Sequence, residues 1–304
     1  MRMFEPLQAR PQPADVPGPL PASRLPDPSQ PTPPGPPYDV VEDIVPYAQT
    51  DRGPLSMAVF RPRDAASADP ARRPCIVFFH GGAWRRGSFN QFMPFARLLA
   101  QRGMVAMSAQ YRLLEGDRHA LPVDALADAR TALRWARDNA ATYGIDTARL
   151  GAGGGSAGGH LALLTALAPA PAPAPGEPAR TPDVHPACLL LMNPPLDFDA
   201  YESDVPLSDR RTFSPLHLLA PGALPPTLLM QGTKDRVVPC KQSHAFQRRA
   251  EQLGIDGLQL LPFEGRGHGF FNRGKGEPGD FYRAAKEMAV FLRQLGWLPP
   301  SAGA

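Results

Sequence analysis

Gly154-Gly155-Ser156-Ala157-Gly158 lies between a modest apolar segment at residues 148–152 and an Ala/Leu-rich stretch at residues 157–167. Strand, sharp turn and helix in that order describe a nucleophile elbow. A serine at the tip of such a turn takes a strained backbone conformation, and the positions two before and two after it must be small. Both are glycine here. The residues that follow favour helix. The same pattern also occurs by chance in glycine-rich turns, so the rest of the chain decides its meaning.

The surroundings are strands and helices in alternation. Residues 75–80 form a continuous apolar run of β-formers, as expected of a parallel strand buried on both faces. Residues 92–102 read as a helix ended by Gly103, and 104–111 as the next strand. A long amphipathic helix is expected over 122–143, with Val123, Leu126, Ala129, Leu133, Ala136 and Ala140 on one face and Gly144 after its end. Further strands are expected at 38–48, 55–61, 187–193, 227–231 and 257–263, with helices at 241–253 and 278–295. This pattern predicts an α/β fold with a mostly parallel sheet of about eight strands, covered by helices on both faces. Chemistry in such sheets collects at the carboxyl ends of the strands.

Three strand ends carry candidate groups. After the strand at 75–80 comes His80-Gly81-Gly82-Ala83-Trp84, whose glycines free backbone N–H groups to form an oxyanion hole. The candidate donors are Gly82, Ala83 and Ala157, with Gly81 as a further candidate. After the strand at 227–231 comes Gly232-Thr233-Lys234-Asp235, where Asp235 can orient a histidine. After the strand at 257–263 comes Gly265-Arg266-Gly267-His268-Gly269-Phe270. Among seven histidines, His268 alone has a glycine-flanked strand-end setting downstream of the candidate acid. His80 and His160 are held inside the two glycine motifs. Ser156, Asp235 and His268 therefore read as nucleophile, acid and base. Asp197 and Asp199 are rivals for the acid. Trp84 and Phe270 are candidate walls of a substrate pocket, although each residue would also suit a core.

Other features bound the reading. The chain has 304 residues, 43% of them hydrophobic and 20% charged, with a formal net charge of +3. No basic block suits nucleic acid. Cys75, Cys188 and Cys240 lack the spacing of a disulfide framework or a zinc site. No run is long enough to span a membrane. The start of the chain lacks the basic and apolar blocks of a signal peptide, so a cytoplasmic location is expected, or export if the N-terminus has been trimmed. Thirteen of the 39 prolines fall in residues 1–37, an expected extended or disordered arm. A Pro/Ala surface loop is expected at 169–182, a single domain over 38–298, and a small cap-like insertion at about 197–222.

The four motifs, with Ser108-Ala109-Gln110-Tyr111-Arg112 and Phe213-Ser214-Pro215-Leu216-His217, resemble the acetyl-esterase and feruloyl/acetylxylan-esterase branch of the α/β-hydrolases. That branch neighbours the hormone-sensitive-lipase-like esterases. The resemblance implies carboxylester hydrolysis of short acyl groups, in some members on acetylated sugars, through an acyl-serine and without metal or organic cofactor. It implies a structural role for Tyr111, Arg112 and Asp128. Formamide or peptide substrates remain open alternatives. So does a non-catalytic ligand-binding protein on the same scaffold, although such proteins typically lack one of the three site residues.

Overall fold

The computed structural model describes residues 38–63, 72–116, 120–169, 183–199, 206–277 and 279–299. The proline-rich arm, nearly all of the Pro/Ala loop and part of the expected cap lie outside these residues.

Eight strands form one sheet: β1 (Val40–Thr50), β2 (Gly53–Pro62), β3 (Arg73–Phe79), β4 (Val105–Ala109), β5 (Ile145–Gly155), β6 (Leu189–Met192), β7 (Thr227–Gly232) and β8 (Leu258–Phe263). Their order is β1-β2-β4-β3-β5-β6-β7-β8. β1 and β2 form an antiparallel hairpin, and β2 pairs antiparallel with β4. Every pairing from β4 to β8 is parallel. The expected strands are all present, within a few residues of their anticipated ends.

The alternation along β3 shows why both faces are apolar. Cys75, Val77 and Phe79 enter one core, while Ile76 and Phe78 enter the other. The first core is shared with α2 (Val123–Asp138), α4 (Ala157–Leu167) and α7 (Lys241–Gln252), the last preceded in the chain by the short helices α5 (Leu207–Arg211) and α6 (Pro215–Leu218). The second is shared with α1 (Met93–Ala100) and α8 (Asp280–Gln294). Every residue of α4 is buried, which explains an Ala/Leu composition with no polar stripe. Among the described residues, no helix is long and apolar enough to cross a membrane.

The helix expected over 122–143 is broken. α2 stops at Asp138, and a short α3 (Ala140–Tyr143) follows. Asn139 leaves helical geometry at φ −99°, ψ 15°, and its side chain donates to the Trp135 carbonyl at 2.9 Å. An Asn side chain that satisfies a terminal carbonyl competes with helix continuation. Gly144, at φ 67°, then ends the segment in the left-handed conformation.

Candidate active site

Ser156 stands at the junction of β5 and α4 with φ 53° and ψ −124°. A non-glycine residue in this region is strained by about 1–3 kcal/mol and persists only when its surroundings enforce it. They do so here. The Ser156 N–H donates to the Met192 carbonyl at 2.7 Å, and the His160 N–H donates to the Ser156 carbonyl at 3.0 Å. The hydroxyl does not cap the helix, so it remains available to His268.

His268 Nε2 lies 2.8 Å from Ser156 Oγ, and His268 Nδ1 lies 2.7 Å from Asp235 Oδ2. The three residues assigned from the sequence therefore meet. The Asp235 carboxylate is fully buried. Its Oδ1 accepts the N–H groups of Val237 and Val238 at 2.8 and 2.9 Å, leaving Oδ2 for the imidazole. A carboxylate bonded in this way makes Nδ1 the protonated nitrogen and turns the Nε2 lone pair to the serine. Asp197 and Asp199, the rival acids, lie elsewhere. Asp197 Oδ1 accepts the Asp199 N–H at 2.9 Å, and Asp199 pairs with Arg211 and His217.

The acid and base loops are joined along their length. Lys234 N–H donates to the Arg266 carbonyl at 2.9 Å, and Gly265 N–H to Thr233 Oγ1 at 2.8 Å. Asn193 adds a connection that sequence reasoning missed. It is buried at φ 44°. Its Oδ1 accepts Gly232 N–H at 3.1 Å while its Nδ2 donates to the His268 carbonyl at 2.6 Å. One carboxamide thus holds both the strand end before the acid and the backbone of the base. Asparagine tolerates left-handed geometry better than other residues, and this is the only hint the sequence offers.

Gly81 packs against the elbow: a Cβ there would meet the Gly155 carbonyl oxygen at 2.9 Å and Ser156 Cβ at 3.3 Å. The next three residues all have positive φ: Gly82 at 123°, Ala83 at 54° and Trp84 at 59°. Among the described residues, the N–H groups of Gly82, Ala83 and Ala157 have no hydrogen-bond partner. Ala157 is the first residue of α4, where the N–H groups lack intrahelical partners and the helix dipole favours negative charge. Gly81 is a correction. Its N–H donates to Gln91 Oε1 at 2.7 Å and is not available to an oxyanion.

The two pocket candidates separate. Trp84 is half-buried, in contact with His160 (centroids 5.1 Å) and Phe198 (5.9 Å) on the α4 side of the sheet. Phe270 is a correction: it is only 2% exposed and stacks on Phe263 at 4.1 Å in the core shared with α1 and α8. Phe271 beside it lies beneath the elbow, where a Cβ on Gly155 would meet its ring at 2.4 Å.

His80, His160 and the implied structural pair are framework. His80 donates from Nδ1 to the Gly81 carbonyl at 2.9 Å and stacks on Tyr111. His160 donates from Nε2 to the Phe213 carbonyl at 2.8 Å. Burial lowers both pKa values from 6.5 to about 4, against a smaller opposing effect of each hydrogen bond. Arg112 donates to both oxygens of the buried Asp128 carboxylate. The histidines make acid destabilisation an expected result. Above pH 6.5 they are neutral in both folded and unfolded chains. Below it the unfolded chain gains protons that the fold refuses, so stability falls until about pH 4, by about 3 kcal/mol per histidine. Urea unfolding at pH 7 and pH 4.5 checks this. His160→Gln, which keeps a donor for Phe213, should reduce the loss; an unchanged loss would contradict the assignment.

A mostly parallel sheet covered on both faces, with a strained serine after β5 hydrogen-bonded to a histidine after β8 that pairs with an aspartate after β7, is the layout of an α/β-hydrolase. Residues 60–172 match the BD-FAE family model, and residues 195–296 match the prolyl oligopeptidase family model. The chain is similar to Thermogutta terrifontis esterase 2, whose butyrate-bound structure superposes with a TM-score of 0.74 at 36% identity, covering 86% of this chain and 96% of that one. It is also similar to esterase LipC of Mycobacterium tuberculosis, 28% identical over 243 residues, 73% of this chain and 58% of LipC. Carboxylesterase NlhH of the same organism is 36% identical over 94 residues, 31% of this chain and 28% of NlhH. The chain spans little more than half the length of LipC. It belongs to the esterase family of the α/β-hydrolases.

Proposed function

We propose that the protein is a serine carboxylesterase of short-chain acyl esters, with Ser156 as nucleophile, His268 as general base and acid, and Asp235 as the orienting carboxylate. The observation that carries this reading is the continuous chain from Ser156 Oγ through His268 to Asp235 Oδ2, with links of 2.8 and 2.7 Å. Ser156 Oγ attacks the ester carbonyl as its proton passes to Nε2. The oxyanion is received by the N–H groups of Gly82, Ala83 and Ala157. Each such donor is worth about 3 kcal/mol of barrier. The intermediate collapses, the alcohol leaves with the proton from His268, and the acyl group stays on Ser156. Water then attacks that ester with His268 again as base, releasing the acid.

Short acyl groups are supported by the Thermogutta enzyme, which was solved with butyrate and with propionate bound. The aromatic pair of Trp84 and Phe198 near the oxyanion loop supplies a wall for a small acyl chain in this reading. A cap over residues 197–222 would limit the pocket in the same sense. An acetylated carbohydrate is the alcohol half that the motif resemblance suggests. The prolyl oligopeptidase match over residues 195–296 keeps amide substrates as a second reading.

The test is a panel of p-nitrophenyl esters from acetate to decanoate, with acetylated xylan, N-formylkynurenine and a peptide p-nitroanilide, and Ser156→Ala as blank. Highest kcat/KM on acetate to butyrate, falling by about tenfold or more at decanoate, is the expected outcome. Faster turnover of the formamide or the anilide overturns the ester assignment. Release of acetate from xylan decides the sugar limb.

A further inference from the structure

We infer that Gln91 and Asn272 act as paired positioning residues, one bridge that locks the oxyanion loop to the histidine loop. The inference rests on the esterase reading above. Gln91 ends the 3-10 turn Phe89–Gln91, and Asn272 follows the histidine by four residues. They are 181 positions apart in the chain. Gln91 Oε1 accepts the Gly81 N–H at 2.7 Å, and Gln91 Nε2 donates to Asn272 Oδ1 at 2.6 Å. Asn272 Nδ2 then donates to the Gly269 carbonyl at 3.2 Å, and the Asn272 backbone N–H donates to the same oxygen at 3.0 Å.

The direction of this relay is fixed from one end. A backbone N–H at Gly81 requires an oxygen, so the Gln91 amide has one orientation, and each later group is set in turn. One terminus lies immediately before the donors Gly82 and Ala83. The other lies immediately after His268. Both residues are partly buried, where a hydrogen bond is harder for water to replace. The bridge therefore sets the separation between the groups that receive the oxyanion and the imidazole that moves the proton. An error of about 1 Å in such a separation costs about 100-fold in rate. Neither side chain bonds to Ser156, Asp235 or the imidazole of His268, so each acts through backbone held by it.

Steady-state kinetics on p-nitrophenyl acetate test the bridge with Gln91→Ala, Asn272→Ala, the double variant and Gln91→Glu. Each single alanine variant should lower kcat by about 10- to 100-fold with KM within about threefold of wild type. Because one bridge is broken either way, the double variant should fall within about threefold of the weaker single variant. Gln91→Glu retains an acceptor for Gly81 N–H and nearly the same volume, but loses the donor to Asn272. It should lose kcat as Gln91→Ala does, which keeps the test valid if the alanine variants melt early. Wild-type kcat in the singles, multiplicative losses in the double, or full activity of Gln91→Glu each overturn the bridge. An inactive wild type would instead sink the esterase reading.

Discussion

Asp235→Asn is expected to lower kcat on p-nitrophenyl acetate by about 10⁴-fold with little change in KM, while Asp197→Asn stays within about threefold of wild type. The reason lies in how the buried carboxylate uses its two oxygens. Oδ1 takes two backbone N–H donors and Oδ2 takes His268 Nδ1. Asparagine must place an NH₂ at one of these positions. If the NH₂ faces His268, Nδ1 becomes the acceptor, the proton moves to Nε2 and the imidazole no longer accepts from Ser156 Oγ. If it faces Val237 and Val238, it sets donors against donors in a site without water access, at a cost of about 1–3 kcal/mol. The first arrangement removes the base; the second keeps it but is disfavoured by that penalty, so the inactive tautomer prevails. Asp197 has no such duty: its Oδ1 serves the Asp199 backbone. The check is kcat and KM for both variants, with thermal unfolding to show that each is folded. A near-normal Asp235→Asn beside a dead Asp197→Asn would reassign the acid.

The parts of the site that the sequence revealed are those governed by local sterics. The Gly154/Ser156/Gly158 spacing, the glycines after β3 and the glycine-flanked His268 each announce a backbone that only small residues permit. The parallel strands were equally visible, because a strand buried on both faces has no polar alternation to confuse it with a loop. What stayed hidden depends on partners distant in the chain. Nothing near Gly81 says that its N–H is committed to Gln91, and nothing near Asn193 says that it spans Gly232 and His268. Phe270 was misplaced for a related reason. Proximity to His268 in sequence suggested the pocket, but residues that leave a strand end and turn back can bury the very next side chain on the opposite face of the sheet. The break at Asn139 was hidden because the apolar period of α2 continues through it into α3.

Gly158→Ala is expected to abolish accumulation of folded protein, or to lower its melting temperature by more than about 10 °C. A Cβ at Gly158 would lie 2.0 Å from the Phe79 carbonyl oxygen, 2.4 Å from the Phe79 carbonyl carbon and 2.5 Å from the His80 carbonyl oxygen. All three are backbone atoms at the end of a strand in the middle of the sheet. Relief requires α4 to move off β3, yet α4 is buried on all sides and its burial holds one of the two cores together. Overpacking that no side chain can relieve costs several kcal/mol, out of a total stability of about 5–15 kcal/mol. Any molecules that do fold must shift the start of α4, carrying the Ala157 N–H and Ser156 away from His268, so they should also be inactive. Gly222→Ala is the control. Gly222 has φ +70° but open space around it, so its cost is the conformational one alone, about 1 kcal/mol. Expression yield, melting temperature and specific activity of the two variants separate close packing from backbone strain. A Gly158→Ala protein that melts and turns over like wild type would mean that the elbow and β3 do not approach as closely as described.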